Sequence, residues 1–176
     1  NSGPCLMADF TTSDGAKLHY TDQGTGKVIL CLSGLTRNSA DFGYVMPHLA
    51  DHRVITMDYP GRGKSEWCDY TTYSIPREAL DALELLDHLG LETAAILGTS
   101  RGGLIAMMIA LTAKDRLTGV LLNDIGPALM DEGMDSIRTY LGRNPSQKTY
   151  ADAAEVRAAL LAGFKNVPAE RWHEEV

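Results

Sequence analysis

The chain has 176 residues, enough for one domain with a sizeable core, and a formal net charge of −7 at pH 7. That charge argues against a nucleic-acid or anionic-membrane surface, because phosphate groups are bound by clustered Lys and Arg side chains. The longest nearly uncharged stretch, residues 102–112, has 11 residues, whereas a helix needs roughly 20 to cross a bilayer. We therefore expect neither nucleic-acid nor membrane partners.

The cysteines and the start of the chain favour a cytoplasmic protein. Cys5, Cys31 and Cys68 are widely spaced and form neither a disulfide framework nor a CxxC pair, which favours a reducing compartment. Residues 1–6 are interpreted as the remnant of a cloning sequence before a native start at Met7, and no signal-peptide pattern follows Met7.

The chain predicts strands that alternate with helices. The strands are short apolar runs next to Gly, Pro or Asp, a pattern typical of strands buried on both faces. One helix is marked by the N-cap Ser74 and by leucines at helical spacing, Leu80, Leu83, Leu86 and Leu89. Strands are predicted at 17–20, 28–32, 53–57, 94–97 and 120–122, and helices at 39–50, 75–89 and 101–112. This order indicates an α/β fold, a mostly parallel sheet covered by helices on both faces.

After Pro127 the pattern becomes wholly helical. Thr149 and Asp152 offer a capping box, and Pro168 opens the last helix. No strand is predicted in this part of the chain.

Residues 98–102, Gly-Thr-Ser-Arg-Gly, match the pattern G-x-S-x-G between a buried strand and an apolar helix. A turn this tight requires small residues two positions before and after the serine, and Gly98 and Gly102 meet that requirement. The turn lifts the Ser100 hydroxyl above the sheet, and the following helix directs its positive end at a developing negative charge. We predict that Ser100 is a nucleophile. The alternative is that the glycines only form a tight strand–helix turn.

Four segments carry a resemblance to a known family: LSGLTRN (32–38), YPGRGKS (59–65), GTSRGG (98–103) and LNDIGP (122–127). With them the chain resembles the α/β-hydrolase superfamily, and most closely a bacterial group of esterases and lipases, over nearly all of residues 8–176. The resemblance implies that residues 7–127 are the N-terminal part of the core and that 128–176 begin a helical cap.

The resemblance also implies an oxyanion hole formed by the backbone amides of Leu35 and Arg101. Two fixed amide donors are needed where negative charge develops on the carbonyl oxygen of the substrate. The Arg101 side chain either biases the pocket toward acidic substrates or is simply solvated. Ser33 stands where many members have a histidine that braces the loop.

The family's catalytic acid and base are not evident. The base in this family is a histidine after the last strand, in the order Ser, Asp, His, and all five histidines of this chain are interpreted as structural or surface residues. Asp124 stands where some members have the acid, although the acid more often follows the next strand. We therefore expect an Asp, a His and two further strands beyond Val176. Without them the 176 residues are predicted to be inactive, and the strand at 120–122 to be an uncovered apolar edge.

The predicted function is that of a serine hydrolase, which cleaves a carboxylic ester or lactone of a small molecule through an acyl-enzyme on Ser100 and needs no cofactor or metal. The alternative is a non-catalytic receptor or scaffold with the same fold. Epoxide hydrolases and haloalkane dehalogenases share the fold but use an aspartate nucleophile. The GRGKS segment imitates a phosphate-binding P-loop, but Asp58 stands where that loop needs a glycine.

Overall fold

The computed structural model describes residues 5–128, 131–143, 146–161 and 163–176. The chain divides into two compact units, residues 1–129 and residues 130–176. None of the described helices is long and apolar enough to cross a membrane.

The first unit is built on a six-stranded sheet in the order β1-β2-β4-β3-β5-β6. Strands β3 to β6 run parallel to one another, and β1 and β2 add an antiparallel edge beside β4. The predicted α/β fold with a mostly parallel sheet is therefore confirmed. The strands are β1 Leu6–Thr11, β2 Lys17–Gln23, β3 Lys27–Leu32, β4 His52–Met57, β5 Ala94–Thr99 and β6 Leu117–Asn123. The helices of this unit are α1 Ile75–His88 and α2 Arg101–Thr112.

The two faces of the sheet bury different side chains, because successive residues of a strand point to opposite faces. On β3, Leu30 and Leu32 belong to the larger core cluster, which also contains the buried side chains of α1 and α2. Cys31, between them, belongs to a smaller cluster with Phe42 and Val54. The α-helices therefore cover one face, and the segment that carries Phe42 covers the other.

The segment that carries Phe42 does not form the helix predicted at 39–50. The chain forms two short 3-10 helices instead, Ser39–Tyr44 and Met46–Leu49. Gly43 has low helix propensity and Pro47 lacks the amide that an α-helix would need in its interior. The segment still presents its apolar side chains to the sheet.

Two further expectations needed correction. Strand β1 was not predicted, because Leu6–Thr11 mixes apolar with polar residues and its first residue was assigned to the cloning remnant. Of the predicted leucines of α1, Leu86 is buried and Leu83 and Leu89 pack against the core, but Leu80 is 43% exposed. Ala82 and Leu85, which the leucine spacing did not mark, are fully buried. The buried face of α1 also contains Glu78, a residue that becomes important at the site.

Strand β6 is the last strand of the described sheet. It pairs with β5 on one side, and its apolar residues Val120 and Leu121 are 43% and 57% exposed. Within the described residues it is therefore an exposed apolar edge.

The second unit contains α3 Asp131–Tyr140, α4 Tyr150–Leu160 and α5 Ala169–Glu174. Helix α4 begins as its capping pattern predicts, with the Thr149 hydroxyl accepting a hydrogen bond from the Asp152 amide at 3.1 Å. Helix α5 begins directly after Pro168. The wholly helical character predicted for this part of the chain is present in its described residues.

Candidate active site

Four loops meet at one edge of the sheet, because the carboxyl ends of parallel strands lie side by side. Leu32 at the end of β3 is in register with Met57 of β4 and with Gly98 of β5. Thr99 is in register with Asn123 of β6. The residues that follow these strands, including Ser100, are therefore neighbours in space.

Ser100 forms the sharp turn between β5 and α2. Its φ is 50° and its ψ is −113°, a conformation that is strained for a residue with a Cβ. The Ser100 amide donates to the Asn123 carbonyl at 2.9 Å, and the Gly103 amide donates to the Ser100 carbonyl at 2.9 Å. Hydrogen bonds to β6 and to the first turn of α2 therefore maintain the strained conformation.

The Ser100 hydroxyl takes no part in holding this turn. Ser100 occupies the N-cap position of α2, where a serine side chain normally accepts a hydrogen bond from a first-turn amide, but its side chain makes no such bond. No other described residue is hydrogen-bonded to it, and the residue is only half-buried. The hydroxyl is thus free to react or to bind.

The glycines around Ser100 are required by close backbone contacts. A Cβ added at Gly98 would lie 2.6 Å from the Gly102 carbonyl oxygen, and one added at Gly102 would overlap the Leu32 carbonyl. A Cβ at Gly103 would overlap the side chain of Ile125. The tight turn expected from the pentapeptide is therefore present, since none of the three positions has room for a side chain.

The loop after β3 lies directly against Ser100. A Cβ added at Gly34 would be 3.6 Å from Ser100 Cβ and 3.7 Å from the Thr99 carbonyl oxygen. The loop is held by a hydrogen bond from the Arg37 amide to the Gly34 carbonyl at 3.2 Å. The buried Tyr59 hydroxyl donates to the Ser33 carbonyl at 3.2 Å, while Ser33 Oγ is buried without a partner among the described residues.

Two backbone amides near Ser100 have no acceptor among the described residues. Leu35 follows Gly34 in the loop, and its amide forms no backbone hydrogen bond there. Arg101 is the first residue of α2, and first-turn amides have no partner within a helix. These are the two amides for which the family resemblance implies an oxyanion-hole role.

The Arg101 side chain neither faces an acidic substrate nor lies free in solvent. Its side chain is only 17% exposed, with Nη2 2.7 Å from Glu78 Oε2, and Nε also donates to that oxygen at 2.7 Å. Nη2 makes a longer hydrogen bond, 3.4 Å, to the Tyr73 carbonyl. Both alternatives considered from the sequence are thus replaced by an ion pair with a buried carboxylate.

Asp58 stabilises the neighbouring turn after β4. The side chain is 1% exposed; its Oδ1 accepts from the Ser39 amide at 2.7 Å and its Oδ2 from the Lys64 amide at 2.9 Å. A Cβ at Gly63 would overlap this carboxylate. The GRGKS segment therefore surrounds a carboxylate, and it resembles a phosphate-binding loop only in sequence.

No histidine in residues 5–128 contacts Ser100. His19 Nδ1 lies 2.9 Å from Asp9 Oδ1, and His88 packs against the rings of Phe10 and Tyr20. Asp124 follows β6 in an exposed position with a φ of 54°. The described contacts therefore assign neither a base nor an acid to Ser100.

Glu78 is the residue of this site that the sequence analysis missed. A charged residue on an amphipathic helix normally faces solvent, so the charge of Glu78 gave no indication of burial. A signal was present nevertheless: Glu78 is four residues before Ala82 and seven before Leu85, which places all three on one helical face. The same face carries the buried Asp81.

Comparison with known proteins agrees with this fold. The family model described as alpha/beta hydrolase fold matches residues 27–176. The 3-hydroxybutyrate-oligomer hydrolase of Cupriavidus necator is 36% identical over 157 residues, which are 88% of this chain and 54% of that protein. Haloalkane dehalogenase 2 of Mycobacterium tuberculosis is 36% identical over 116 residues, which are 65% of this chain and 40% of that protein. The chain spans about half the length of these curated relatives.

Among solved structures, an alpha/beta hydrolase from Novosphingobium aromaticivorans is 32% identical with a TM-score of 0.88, covering 96% of this chain and 61% of that one. The family model covers most of the chain, and the six-stranded, mostly parallel sheet agrees with it. The chain belongs to the α/β-hydrolase fold family.

Proposed function

We infer that the whole protein is a serine hydrolase, which cleaves a carboxylic ester or lactone of a small molecule through an acyl-enzyme on Ser100. The observation that carries this proposal is the strained Ser100, whose free hydroxyl belongs to a turn packed against the loop at Gly34. A strained conformation held by its surroundings is typical of functional sites.

The proposed reaction has two steps. Ser100 Oγ attacks the carbonyl carbon of the ester, its proton passes to a base, and the negative charge moves to the carbonyl oxygen. The amides of Leu35 and Arg101 donate to that oxygen, and the alcohol leaves with a proton. Water then attacks the acyl-enzyme and releases the acid and Ser100. Loss of one such donor typically lowers turnover by about 100- to 1,000-fold.

The base and the acid are assigned to the part of the family fold that these 176 residues do not span. A serine hydroxyl is a poor nucleophile until a base takes its proton, and the described contacts give Ser100 no such partner. The relatives are about twice as long as the matched segment. We further propose that the helices of residues 128–176 begin a cap. The cytoplasmic location of the protein stays a prediction.

Ser100 favours ester chemistry over the other chemistries that relatives are named for. Haloalkane dehalogenases, like epoxide hydrolases, use an aspartate at the elbow, whereas this chain has a serine there. The Cupriavidus relative is named for hydrolysis of 3-hydroxybutyrate oligomers, whose units are joined by carboxylic esters. Short oligomers of a hydroxy acid are therefore the first substrates to test.

The test is hydrolysis of two substrate sets by the whole protein: p-nitrophenyl esters of increasing chain length, and linear dimers and trimers of 3-hydroxybutyrate. Ser100→Ala is expected to lower kcat/KM at least about 10,000-fold, because it removes the nucleophile. Ser39→Ala is the matched control. Ser39 is a half-buried serine of the neighbouring loop that interacts with Asp58 through its backbone amide.

Equal activity of Ser100→Ala and wild type would overturn the proposal. A well-folded whole protein that hydrolyses none of these esters but binds one of them would favour the non-catalytic receptor instead.

A further inference from the structure

A buried charge cluster lies next to the nucleophile turn. Glu78 has no exposed surface, and its two carboxylate oxygens bind different arginines. Oε1 is 3.0 Å from Arg62 Nη1, and Oε2 is 2.7 Å from Arg101 Nη2. The arginine side chains are only 13% and 17% exposed. The cluster is therefore a nearly dry carboxylate held between two guanidinium groups.

Stability alone does not account for this cluster. Removing charges from water costs free energy that the ion pairs only partly return, and apolar residues of similar volume often serve as well. Helix α1 is already anchored to the core by Ala82, Leu85 and Leu86, which are almost fully buried. What an ion pair adds to such packing is a defined geometry between the groups that it joins.

The geometry that the cluster defines is that of residue 101. Arg101 directly follows the strained Ser100, and its side chain reaches Glu78 on α1 and the Tyr73 carbonyl before α1. Arg62, from the turn after β4, holds the other carboxylate oxygen, and its guanidinium lies 5.0 Å from the centre of the Tyr73 ring. The first residue of α2 is thus fixed to two elements outside its own helix.

We propose that Glu78 is a positioning residue, which acts through the Arg101 side chain to hold the Arg101 amide where it meets the oxyanion. The proposal rests on the function proposed above, since it concerns the same amide. Without the ion pair, the turn would still form, but its first amide would be less well aligned. Misplacement of a catalytic group by about 1 Å costs roughly 100-fold in rate, and the alignment matters most in the transition state.

The cluster offers its own matched pair of variants, Arg101→Met and Arg62→Met. Each leaves Glu78 with one arginine, so each leaves the buried carboxylate with one ion pair. Arg101→Met frees residue 101 while keeping its backbone amide, and is expected to lower kcat about 10- to 100-fold with KM within about threefold. Arg62→Met keeps the Glu78–Arg101 pair, and is expected to change kcat less than about threefold.

Glu78→Gln completes the kinetic test, because it leaves both arginines in place. It is expected to match Arg101→Met in kcat, and the double variant is expected to be no worse than either single variant, since both act through one interaction. Equal losses in Arg101→Met and Arg62→Met, or additive losses in the double variant, would overturn the proposal.

A second measurement decides the proposal even if the esters are not substrates. Hydrogen exchange of the Gly103 and Leu104 amides, which donate to the Ser100 carbonyl, reports local opening of the turn. Exchange there is expected to be about tenfold faster in Arg101→Met and Glu78→Gln than in wild type, and unchanged in Arg62→Met. Unchanged exchange in all three variants would overturn the proposal, whereas absence of wild-type ester hydrolysis would overturn only the proposed function.

Discussion

The turns after β4 and β5 are both rich in glycine and both follow a parallel strand at the same edge of the sheet, yet they use their polar side chains differently. In the turn after β4, both oxygens of Asp58 accept backbone amides of that turn and of a neighbouring loop. In the turn after β5, the backbone is held by its neighbours, and the Ser100 hydroxyl has no partner among the described residues.

The difference shows how a structural turn is told from a candidate catalytic one. A polar side chain whose hydrogen bonds hold its own turn is not available for chemistry, and its removal should lower the free energy of unfolding. A polar side chain in a turn that other groups hold is free for chemistry, and its removal should cost activity with little loss of stability. Both turns resemble known functional motifs in sequence, so only the hydrogen bonding of the polar side chain distinguishes the structural turn from the candidate catalytic one.

Among these predictions, the largest loss of stability is expected for a substitution of Gly98, which lies two residues before Ser100. In Gly98→Ala the new methyl group would meet the Gly102 carbonyl at 2.6 Å, and backbone must move to relieve it. We expect a loss of about 4 kcal/mol or more in the free energy of unfolding, measured by urea denaturation. Gly119→Ala in β6 is the matched control, because no atom lies within 4 Å of that methyl position. Equal stability of the two variants would contradict the account of the turn.

A smaller loss is expected when the carboxylate of the other turn is changed. Asp58→Asn replaces one accepting oxygen with an amide group, which then faces a backbone donor from Ser39 or Lys64. We expect a loss of about 3 kcal/mol, because hydrogen bonds to a buried charged group are strong and a buried donor is left unpaired. Asp124→Asn, at an exposed position after β6, is expected to stay within about 0.5 kcal/mol of wild type. If Asp58→Asn lowered the free energy of unfolding no more than Asp124→Asn does, Asp58 would not stabilise its turn.

An effect of at most similar size, and one that depends on pH, concerns a buried carboxylate that, unlike Asp58, is only half satisfied. Asp81 is 1% exposed, and its Oδ2 has no partner among the described residues. Burial raises the pKa of Asp81 from 3.8 to about 6, against the opposing effect of its ion pair with Arg77. Because the folded state holds the proton more tightly, the contribution of Asp81 to stability is full below pH 4 and is lost as the pH rises to about 6.

The measurement is the difference in unfolding free energy between wild type and Asp81→Asn across this range. The difference is expected to fall by at most about 3 kcal/mol between pH 4 and pH 7. Glu84→Gln is the control of opposite sign. Burial raises the pKa of Glu84, but hydrogen bonds from Ser13 and Arg77 outweigh this effect and lower it overall, so its contribution is lost as the pH falls. A pH-independent difference for Asp81→Asn would contradict the assigned burial effect.

The central strands could be predicted because burial on both faces leaves an apolar run in the sequence. Leu30 and Ile96 lie in such runs, and both are almost fully buried. Strand β1 left no such signal, since an edge strand has one exposed side and Leu6–Thr11 mixes polar and apolar residues. The 3-10 helices at 39–49 have apolar residues at helical spacing, but Gly43 and Pro47 shift the balance away from an α-helix.

The geometry around Ser100 could be anticipated because it is local: three glycines and one serine in six residues define the turn. Glu78 could not, because its role depends on partners 16 and 23 residues away along the chain. An arginine beside the nucleophile suggested either a positive charge near the pocket or a solvated side chain. The spacing of Glu78 from Ala82 and Leu85 indicates a shared helical face, but nothing in the sequence pairs Glu78 with that arginine. Long-range pairing of charges is the part of this site that only the fold reveals.

The most direct test of the account is to treat the whole protein with a fluorophosphonate, which reacts with an activated serine, and to map the adduct by mass spectrometry. We expect a single adduct on the tryptic peptide 78–101, which contains Ser100, and its loss in Ser100→Ala. An adduct on another serine, or labelling that persists in Ser100→Ala, would contradict the claim that this turn carries the nucleophile.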